Sequence, residues 1–510
     1  MSVTLDESLQ RAAQRRGDKV AVVCHGDSIT YADLRDHSMQ LAARLQAAGV
    51  VTGDRVVILL PNSIEAVESI FGVWLAGGVL VFADADTPAA SLAHRLENSG
   101  AAAIVTTTTR LGVATTAAAA RPTNRKPAMV LIDVADPTDH LATFRPQTVD
   151  DHAPAAIIYT SGSTGLPKGV THSHHSISTV VRAVTGYLEH DEHDVVLSVL
   201  PLAFGYGLLQ LLVTVQCGGR LVLRRGVGFP FDLVNLIDSE SVTGLAAVPT
   251  LLVMLSDLDT DTTSTSSTSS TSTLRYITSA AAALPASLAR RVCARFPSAR
   301  LFAMHGQTEC LRTTFMPPEE LASRPTSVGR GIDGIDLWLE DGDGQRLAAP
   351  AIGELVVRGD NVMLGYWNDT RATSEVVSPG RTPHERTLRT GDLFRVDADG
   401  FFHFVSRTDD IIKTRGEKVA PHEIEMHLAN LEAVAEARVF GVPDDLLGEA
   451  VVAEIVLREG QTLTQAEVQR HLRMTIEPVK VPKIVQFVDA LPKSTNGKVL
   501  RRAQNSQPAS

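Results

Sequence analysis

A loop rich in glycine and hydroxyl side chains follows the apolar segment 153–159. Glycines let backbone N–H groups approach a ligand closely, and hydroxyls add donors, so such a loop suits phosphate binding. It is not a Walker loop, because Gly165 is followed by Leu-Pro-Lys rather than Gly-Lys-Ser/Thr. The candidate phosphate-binding residues are Thr160, Ser161, Gly162, Ser163, Thr164, Gly165 and Lys168.

Three later segments also carry polar groups that could do chemistry. Thr308 and Glu309 follow the strand-like segment 300–304, Thr-Gly-Asp occupies 390–392, and Lys498 lies near the end of the chain. Each is weak alone, because Thr-Gly-Asp is common in turns and most exposed lysines have no catalytic role. Their order along the chain is what makes them informative.

In this order the motifs resemble those of the adenylate-forming superfamily, which contains acyl-CoA synthetases, peptide-synthetase adenylation domains and luciferases. The similarity runs from Tyr31 to Lys498 and is nearest to stand-alone acyl-activating ligases. It implies that ATP and Mg²⁺ convert a carboxylic acid into an acyl-adenylate, and that the acyl group then passes to the thiol of CoA or of phosphopantetheine. The alternatives are an amine acceptor, an enzyme that stops at acyl-AMP, or an inactive binding relative.

The resemblance assigns roles around the nucleotide. Thr308 would contact phosphate and Glu309 would hold Mg²⁺, which needs few protein carboxylates because ATP supplies other oxygens. His305 replaces the aromatic residue that stacks on adenine, and Asp392 would accept hydrogen bonds from the ribose hydroxyls. The adenine floor would be formed by Ser279, Ala280, Ala281 and Ala282, with a core-packing role for these alanines as the alternative.

Other roles implied by the resemblance concern movement and transfer. Arg407 would bind ribose or phosphate, and Asp409 would be the pivot about which a small domain rotates. Gly416 would line the thiol tunnel after rotation. Lys498 would bridge the carboxylate and the α-phosphate while the anhydride forms, which fits electrostatic stabilisation by a mobile cation.

The acid pocket is predicted from one missing charge. Amino-acid-activating relatives pair an Asp with the substrate ammonium, but Gly205 stands at that position here. An unpaired ammonium would be costly, so we expect an acyl, aryl or β-substituted acid, with room opened by the glycine. The residues expected near this pocket are Phe204, Gly205, Leu208 and Ser279.

The elements that position these residues follow an α/β pattern. An apolar strand at 55–61, a helix at 63–78 and a strand at 78–84 form a βαβ unit. A helix at 420–431, strands at 435–442 and 449–457, and a helix at 465–476 form a compact α+β unit. We therefore predict a large N-terminal domain of α/β subdomains (1–408) and a small mobile C-terminal domain (409–510), joined by a hinge.

Composition limits the class of protein. The net charge of −11 argues against nucleic-acid binding, and no apolar run is long enough to span a bilayer. The four cysteines show no CxxC spacing, so we expect a cytoplasmic protein without a zinc site. Segment 480–502 has six basic residues against Asp489 alone, which indicates either an anion-facing surface or a solvated basic face. The resemblance to stand-alone ligases whose partners are carrier proteins slightly favours a free-standing carrier protein as the acceptor. The Ser/Thr-rich segment 259–273 is expected to be a surface loop.

Two other motifs do not support a site. Gly329–Gly334 satisfies GxGxxG, but a strand-like sequence follows it instead of a helix. His172, His174 and His175 have no cysteine or acid beside them in the sequence, so they do not predict a metal site.

Overall fold

The computed structural model describes residues 4–121, 126–134, 136, 138, 140–160, 167–258, 273–415, 417–444, 446–493 and 499. Several predicted site residues lie outside the described residues: Ser161, Gly162, Ser163, Thr164, Gly165, Gly416 and Lys498. Most of the Ser/Thr-rich segment, 259–272, also lies outside them.

The α-helices of the described residues are α1 (Leu5–Arg16), α2 (Tyr31–Ala47), α3 (Ile64–Leu75), α4 (Ala89–Ser99), α5 (Leu111–Ala119), α6 (His174–Leu188), α7 (Gly205–Cys217), α8 (Pro230–Ser239), α9 (Pro249–Ser256), α10 (Ala286–Arg295), α11 (Thr370–Val376), α12 (Pro421–Leu428) and α13 (Gln465–Arg473). None of them is long and apolar enough to cross a membrane.

The strands of the described residues are β1 (Val20–Cys24), β2 (Asp27–Thr30), β3 (Arg55–Leu60), β4 (Val79–Asp84), β5 (Ala103–Thr106), β6 (Ala128–Leu131), β7 (Pro154–Thr160), β8 (Lys168–Ser173), β9 (Val195–Ser198), β10 (Arg220–Leu223), β11 (Gly244–Ala247), β12 (Tyr276–Ser279), β13 (Arg300–His305), β14 (Thr314–Phe315), β15 (Arg330–Gly331), β16 (Ile335–Glu340), β17 (Arg346–Leu347), β18 (Ala351–Gly359), β19 (Gly365–Tyr366), β20 (Val377–Pro379), β21 (Arg386–Val396), β22 (Phe402–Arg407), β23 (Ile412–Thr414), β24 (Glu417–Val419), β25 (Val434–Asp444), β26 (Gly448–Leu457) and β27 (Ile484–Phe487).

Two largely parallel sheets form the body of the large N-terminal part. The first has the order β15-β14-β13-β12-β11-β9-β10-β1-β2, and the second has the order β19-β8-β7-β4-β3-β5-β6. The predicted βαβ unit is confirmed as β3-α3-β4, with β3 and β4 parallel. Ser63 caps α3 by accepting from Ala66 N–H, which explains why the helix begins there.

One apolar core lies between these two sheets and is built largely from α1, α2, α3, α6 and α7. Two buried aromatic residues also satisfy their polar atoms there. Trp74 Nε1 donates to Ala155 O at 3.0 Å, and Tyr31 Oη donates to Gly219 O at 2.8 Å. These bonds tie the helix layer to both sheets, because buried aromatic donors need partners.

A third, antiparallel sheet packs beside the first two. Its order is β17-β16-β18-β21-β20, with β22 on β21. The strand-like sequence predicted after Gly334 is confirmed as β16, which stands where a dinucleotide-binding motif has a helix.

The C-terminal unit has a sheet and a core of its own. Its order is β24-β23-β26-β25, with β27 on β26, and α12 and α13 pack on it as predicted. It contacts the large part through an ion pair between Arg458 Nη1 and Asp257 Oδ2 at 2.8 Å, and through Ser287 Oγ, which donates to Ala429 O at 3.3 Å. The α/β fold with a large N-terminal and a small C-terminal domain is therefore confirmed, while the boundary at 408/409 stays a prediction.

Candidate active site

The predicted phosphate loop joins the antiparallel strands β7 and β8. Thr160 ends β7 and faces Lys168, which begins β8. The Lys168 ammonium lies 5.0 Å from the centre of the Tyr366 ring, a cation–π contact. The hairpin thus holds both ends of the loop and directs Lys168 toward β19.

Glu309 is held by Tyr366, a residue that the sequence analysis did not select. The Tyr366 hydroxyl donates to Glu309 Oε1 at 2.9 Å, and Met363 N–H donates to Glu309 O at 2.9 Å. Burial and the neighbouring Glu309 charge both raise the pKa of Tyr366, so its phenol stays protonated and can donate. Tyr366 lies in the sequence Gly365-Tyr366-Trp367, and nothing in its spacing from Glu309 indicates that the two residues meet.

A neutral histidine supports the backbone of Thr308. His172 Nε2 lies 2.7 Å from Thr308 O, and its Nδ1 lies 3.2 Å from Ser176 Oγ. Burial lowers the pKa of His172 to about 4. The ring is therefore neutral near pH 7, with its proton on Nε2 facing the carbonyl acceptor and Nδ1 accepting from the serine.

Asp392 is buried and surrounded by donors. Its carboxylate accepts from Gln307 Nε2, lies 3.2 Å from His305 Nε2, and pairs with Arg407 Nε at 3.1 Å. Arg407 is its partner across the β21–β22 ladder. Gln307 directly precedes the predicted residues Thr308 and Glu309, but nothing in the sequence indicates that it contacts Asp392.

A second layer of charge orients the Asp392 turn. Glu354 Oε1 accepts from Gly391 N–H at 3.0 Å, and Glu354 Oε2 lies 2.6 Å from Arg389 Nη2. Gly391 has φ +67°, a left-handed conformation that favours glycine. Glu354, in the sequence Gly353-Glu354-Leu355, therefore positions the backbone just before Asp392.

The predicted adenine floor follows the carboxyl end of β12. Ser279 and Ala280 are buried, and Ala281 has φ +72°, which is uncommon for a residue with a β-carbon. Neighbouring His305 uses both ring nitrogens, because Nδ1 contacts Thr313 Oγ1 at 2.8 Å and Nε2 contacts Asp392. Its stacking on adenine stays a prediction.

The space at Gly205 is filled rather than open. Phe204 precedes α7 and Gly205 is its first residue. A β-carbon at Gly205 would lie 3.3 Å from Leu311 Cδ2, so the expectation that the glycine opens room is wrong at this point. Leu208 is buried in the core beneath it.

The interpretation of the histidine cluster needs a correction. His174 is buried and accepts from Leu5 N–H, as expected for packing. His175, however, contacts Asp151 at 2.9 Å and Asp360 at 3.1 Å, and His152 lies beside it. Asp151 is 24 residues away in the sequence and Asp360 is 185 residues away, so these acid partners could not be seen in the local sequence.

The functional segments gather at one edge of the molecule. Glu309 follows the carboxyl end of β13, the predicted adenine floor follows β12, and Gly205 lies downstream of β9. These three parallel strands belong to the same sheet. Ligands bind beyond the carboxyl ends of strands in open α/β sheets. Asp392 and Arg407 approach from the third sheet, and Asp409 follows directly in a 3₁₀ turn, Thr408–Asp410.

Comparison with known proteins supports the same site. Residues 9–367 match the model of the AMP-binding enzyme family, and residues 423–498 match that of the AMP-binding enzyme C-terminal domain. Feruloyl-CoA synthase of an Amycolatopsis species is 33% identical, covering 96% of this chain and 96% of its own. Long-chain-fatty-acid–CoA ligase of Bacillus subtilis (strain 168) is 29% identical, covering 98% and 93%.

Among solved structures, ATP-bound MatB from Rhodopseudomonas palustris aligns with a TM-score of 0.86 at 28% identity, covering 98% of this chain and 97% of that one. The chain belongs to the AMP-binding, adenylate-forming enzyme family. It is an AMP-forming acyl-activating ligase that uses ATP and joins a carboxylic acid to a thiol.

Proposed function

We propose that the chain is an acid–CoA ligase whose adenylating centre lies between Glu309 and the Asp392–Arg407 pair. The observation that carries this proposal is the meeting, at one sheet edge, of a carboxylate braced by Tyr366 and a carboxylate surrounded by donors. Thr160 and Lys168, which flank the predicted phosphate loop in the sequence, face each other on β7 and β8, and Lys168 lies over the ring of Tyr366. Such a set can bind a nucleotide and a metal ion.

Glu309 fits a magnesium ion. Mg²⁺ takes oxygen ligands and is commonly held by one or two carboxylates together with substrate phosphates. Tyr366 donates to one Glu309 oxygen, which orients the other for a cation. Mg²⁺ would supply charge neutralisation for the phosphates, while Thr308, on a backbone held by His172, would contact phosphate.

Asp392 fits the ribose, provided that it exchanges partners. Its oxygens now accept from Gln307 and pair with Arg407. Two ribose hydroxyls would replace some of these donors, and Arg407, which is 43% exposed, can turn toward ribose or phosphate. His305 would then stack on adenine above Ala280 and Ala281.

CoA is the acceptor that we favour over a carrier protein. The relatives described above are named as CoA ligases. The three basic residues of the predicted basic surface that lie in the described part of the chain are also paired, Lys480 with Glu423, Lys483 with Asp444 and Lys493 with Glu436. An acidic carrier therefore gains little attraction there. A carrier partner, like a cytoplasmic location, stays a prediction.

We further propose that the small domain, from residue 409, rotates about Asp409, so that Lys498 serves adenylation and Gly416 lines the thiol tunnel. Lys498→Ala should cut adenylation severely, because its contact forms mainly in the transition state. Transfer from supplied acyl-AMP should survive better. Lys493→Ala is the matched control on the same segment.

The experiment that tests the function follows acyl-AMP and thioester in one reaction, with a panel of acids and either CoA or a phosphopantetheine carrier. We expect ATP–pyrophosphate exchange that depends on the acid, and thioester with CoA. Exchange without thioester, or product with amines alone, would contradict the CoA proposal. Equal loss of both half-reactions in Lys498→Ala would contradict the role of that lysine.

A further inference from the structure

Arg312 is a buried cation for which no described residue supplies an acidic partner. Its side chain is 3% exposed, and its Nε makes no hydrogen bond within the part of the chain that the structure describes. The other buried arginines among the described residues are paired: Arg438 with Glu454 at 2.7 Å, and Arg121 with Glu97 at 3.5 Å. Burying an unpaired charge is unfavourable, so the absence of an acid beside Arg312 calls for a ligand.

The groups around Arg312 are neutral. Its guanidinium carbon lies 5.3 Å from the centre of the Tyr206 ring, and a second tyrosine, Tyr187, hydrogen-bonds to it. Burial raises the pKa of Tyr187 and of Tyr206 to about 12, so both phenols stay neutral near pH 7. The Tyr187 hydroxyl donates to Met304 Sδ at 3.0 Å, which leaves its oxygen free to accept from Arg312. Nothing in this shell cancels the positive charge.

These neighbours place Arg312 on the acid side of the site. Tyr206 is adjacent to Gly205, and its hydroxyl lies 2.6 Å from Oγ1 of Thr278, the residue before Ser279. Arg312 itself follows Leu311, whose side chain fills the space at Gly205. The guanidinium therefore borders the predicted acyl pocket.

We propose that Arg312 binds a second carboxylate at the distal end of the substrate, so that the enzyme activates dicarboxylic acids. This inference rests on the proposed function. A guanidinium fork matches a carboxylate with two parallel hydrogen bonds, which a lysine cannot reproduce. A monocarboxylic acid leaves the buried cation unpaired, and a site built around a polar partner rejects analogues that lack it.

The test compares matched acids of equal carbon number, such as hexanoate and adipate, across chain lengths from about four to ten carbons. In the wild-type protein, each dicarboxylic acid should support faster pyrophosphate exchange than the monocarboxylic acid of the same carbon number. Arg312→Met should lower kcat/KM for the dicarboxylic acids about 100-fold or more, because one partner of a desolvated pair is lost. It should leave exchange with monocarboxylic acids equal or improved, and Arg312→Lys should rescue only part of the loss.

Binding without turnover supplies a second readout. The preferred dicarboxylic acid should raise the melting temperature of the wild type but not of Arg312→Met. Arg330→Met, an exposed arginine on the neighbouring strand β15, is the control and should keep the wild-type preference. Without ligand, Arg312→Met should melt no lower than the wild type, because removal of an unpaired buried charge relieves a cost.

The outcomes separate the two proposals. If neither these acids nor the wider panel of acids described above supports exchange in the wild type, the proposed function fails. If only acids with a single carboxylate from that panel support exchange, the function stands and the role of Arg312 is wrong. If monocarboxylic acids are activated better than their matched dicarboxylic acids, and Arg312→Met leaves that ratio unchanged, the function stands and the role of Arg312 is wrong.

Discussion

The nucleotide side and the acid side of the site are built in different ways. On the nucleotide side, Tyr366 donates to Glu309 and Gln307 donates to Asp392. The other Asp392 oxygen, Oδ1, makes no hydrogen bond among the described residues and pairs only with Arg407. On the acid side, Gly205 is covered by Leu311, and Arg312 is buried among neutral groups. The contrast indicates a nucleotide half organised by short motifs and an acid half shaped by single side chains.

The largest effect should come from Glu309, the carboxylate proposed to bind the metal. Glu309→Gln keeps the shape and an acceptor for Tyr366 but removes the charge, so adenylation should fall about 100-fold or more. The measurement is the rate of ATP–pyrophosphate exchange across a Mg²⁺ titration. Glu354→Gln changes a carboxylate outside the proposed metal position, so it should lose less adenylation activity than Glu309→Gln. Wild-type exchange at ordinary Mg²⁺ would show that Glu309 does not hold the metal.

Asp392→Ala should raise the KM for ATP about 10- to 100-fold, because hydrogen bonds to a charged group contribute about 1.5–3 kcal/mol. The KM for the acid should stay near the wild-type value, since the pocket lies elsewhere. Asp392→Asn keeps the shape of the side chain but removes its charge, so comparing it with Asp392→Ala separates the two contributions to the KM for ATP. If ATP saturation is unchanged in Asp392→Ala, the ribose assignment is wrong.

Acid pH should weaken the fold on the nucleotide side. The pKa of folded His172 is about 4, below about 6.5 in an unfolded chain. The unfolded state therefore binds more protons between these values, and the free energy of unfolding falls as pH drops from 6.5 toward 4. At pH 5 the loss from this residue is about 2 kcal/mol.

The measurement is denaturant unfolding at pH 7 and pH 5. His174 and His190 carry similar shifts, so His172→Gln should remove only part of the pH dependence. A variant with the full wild-type slope would contradict a neutral, buried His172.

Tyr366→Phe removes the hydroxyl that donates to Glu309 but keeps the ring beside Lys168. We expect a loss of about tenfold in apparent Mg²⁺ affinity, because one hydrogen bond to a charged group is lost. The KM for the acid should be unaffected. If the Mg²⁺ dependence is unchanged in Tyr366→Phe, the Tyr366 hydroxyl does not support metal binding through Glu309.

The smallest effect should be Gly205→Ala, which raises the KM for the acid several-fold. Its β-carbon presses on Leu311, and such overpacking costs about 1 kcal/mol. Adding Leu311→Ala should restore binding, and ATP saturation should not change. If the single variant improves binding of an α-amino acid, the acid pocket has been misinterpreted.

Sequence alone determined the elements and the order of the motifs. Periodic apolar residues predicted β3, α3 and β4, and the C-terminal helices and strands, because burial on one face leaves a local pattern. Motif order likewise predicted an adenylate-forming ligase.

Only the tertiary structure decided which side chains meet. Tyr366 reaches Glu309 across 57 residues, and His172 reaches Thr308 across 136, through sheet register that no local pattern records. The same holds for Leu311 over Gly205 and for the acids around His175. Arg312 looked like any surface arginine in the sequence, because burial and the lack of a partner arise only when distant strands pack.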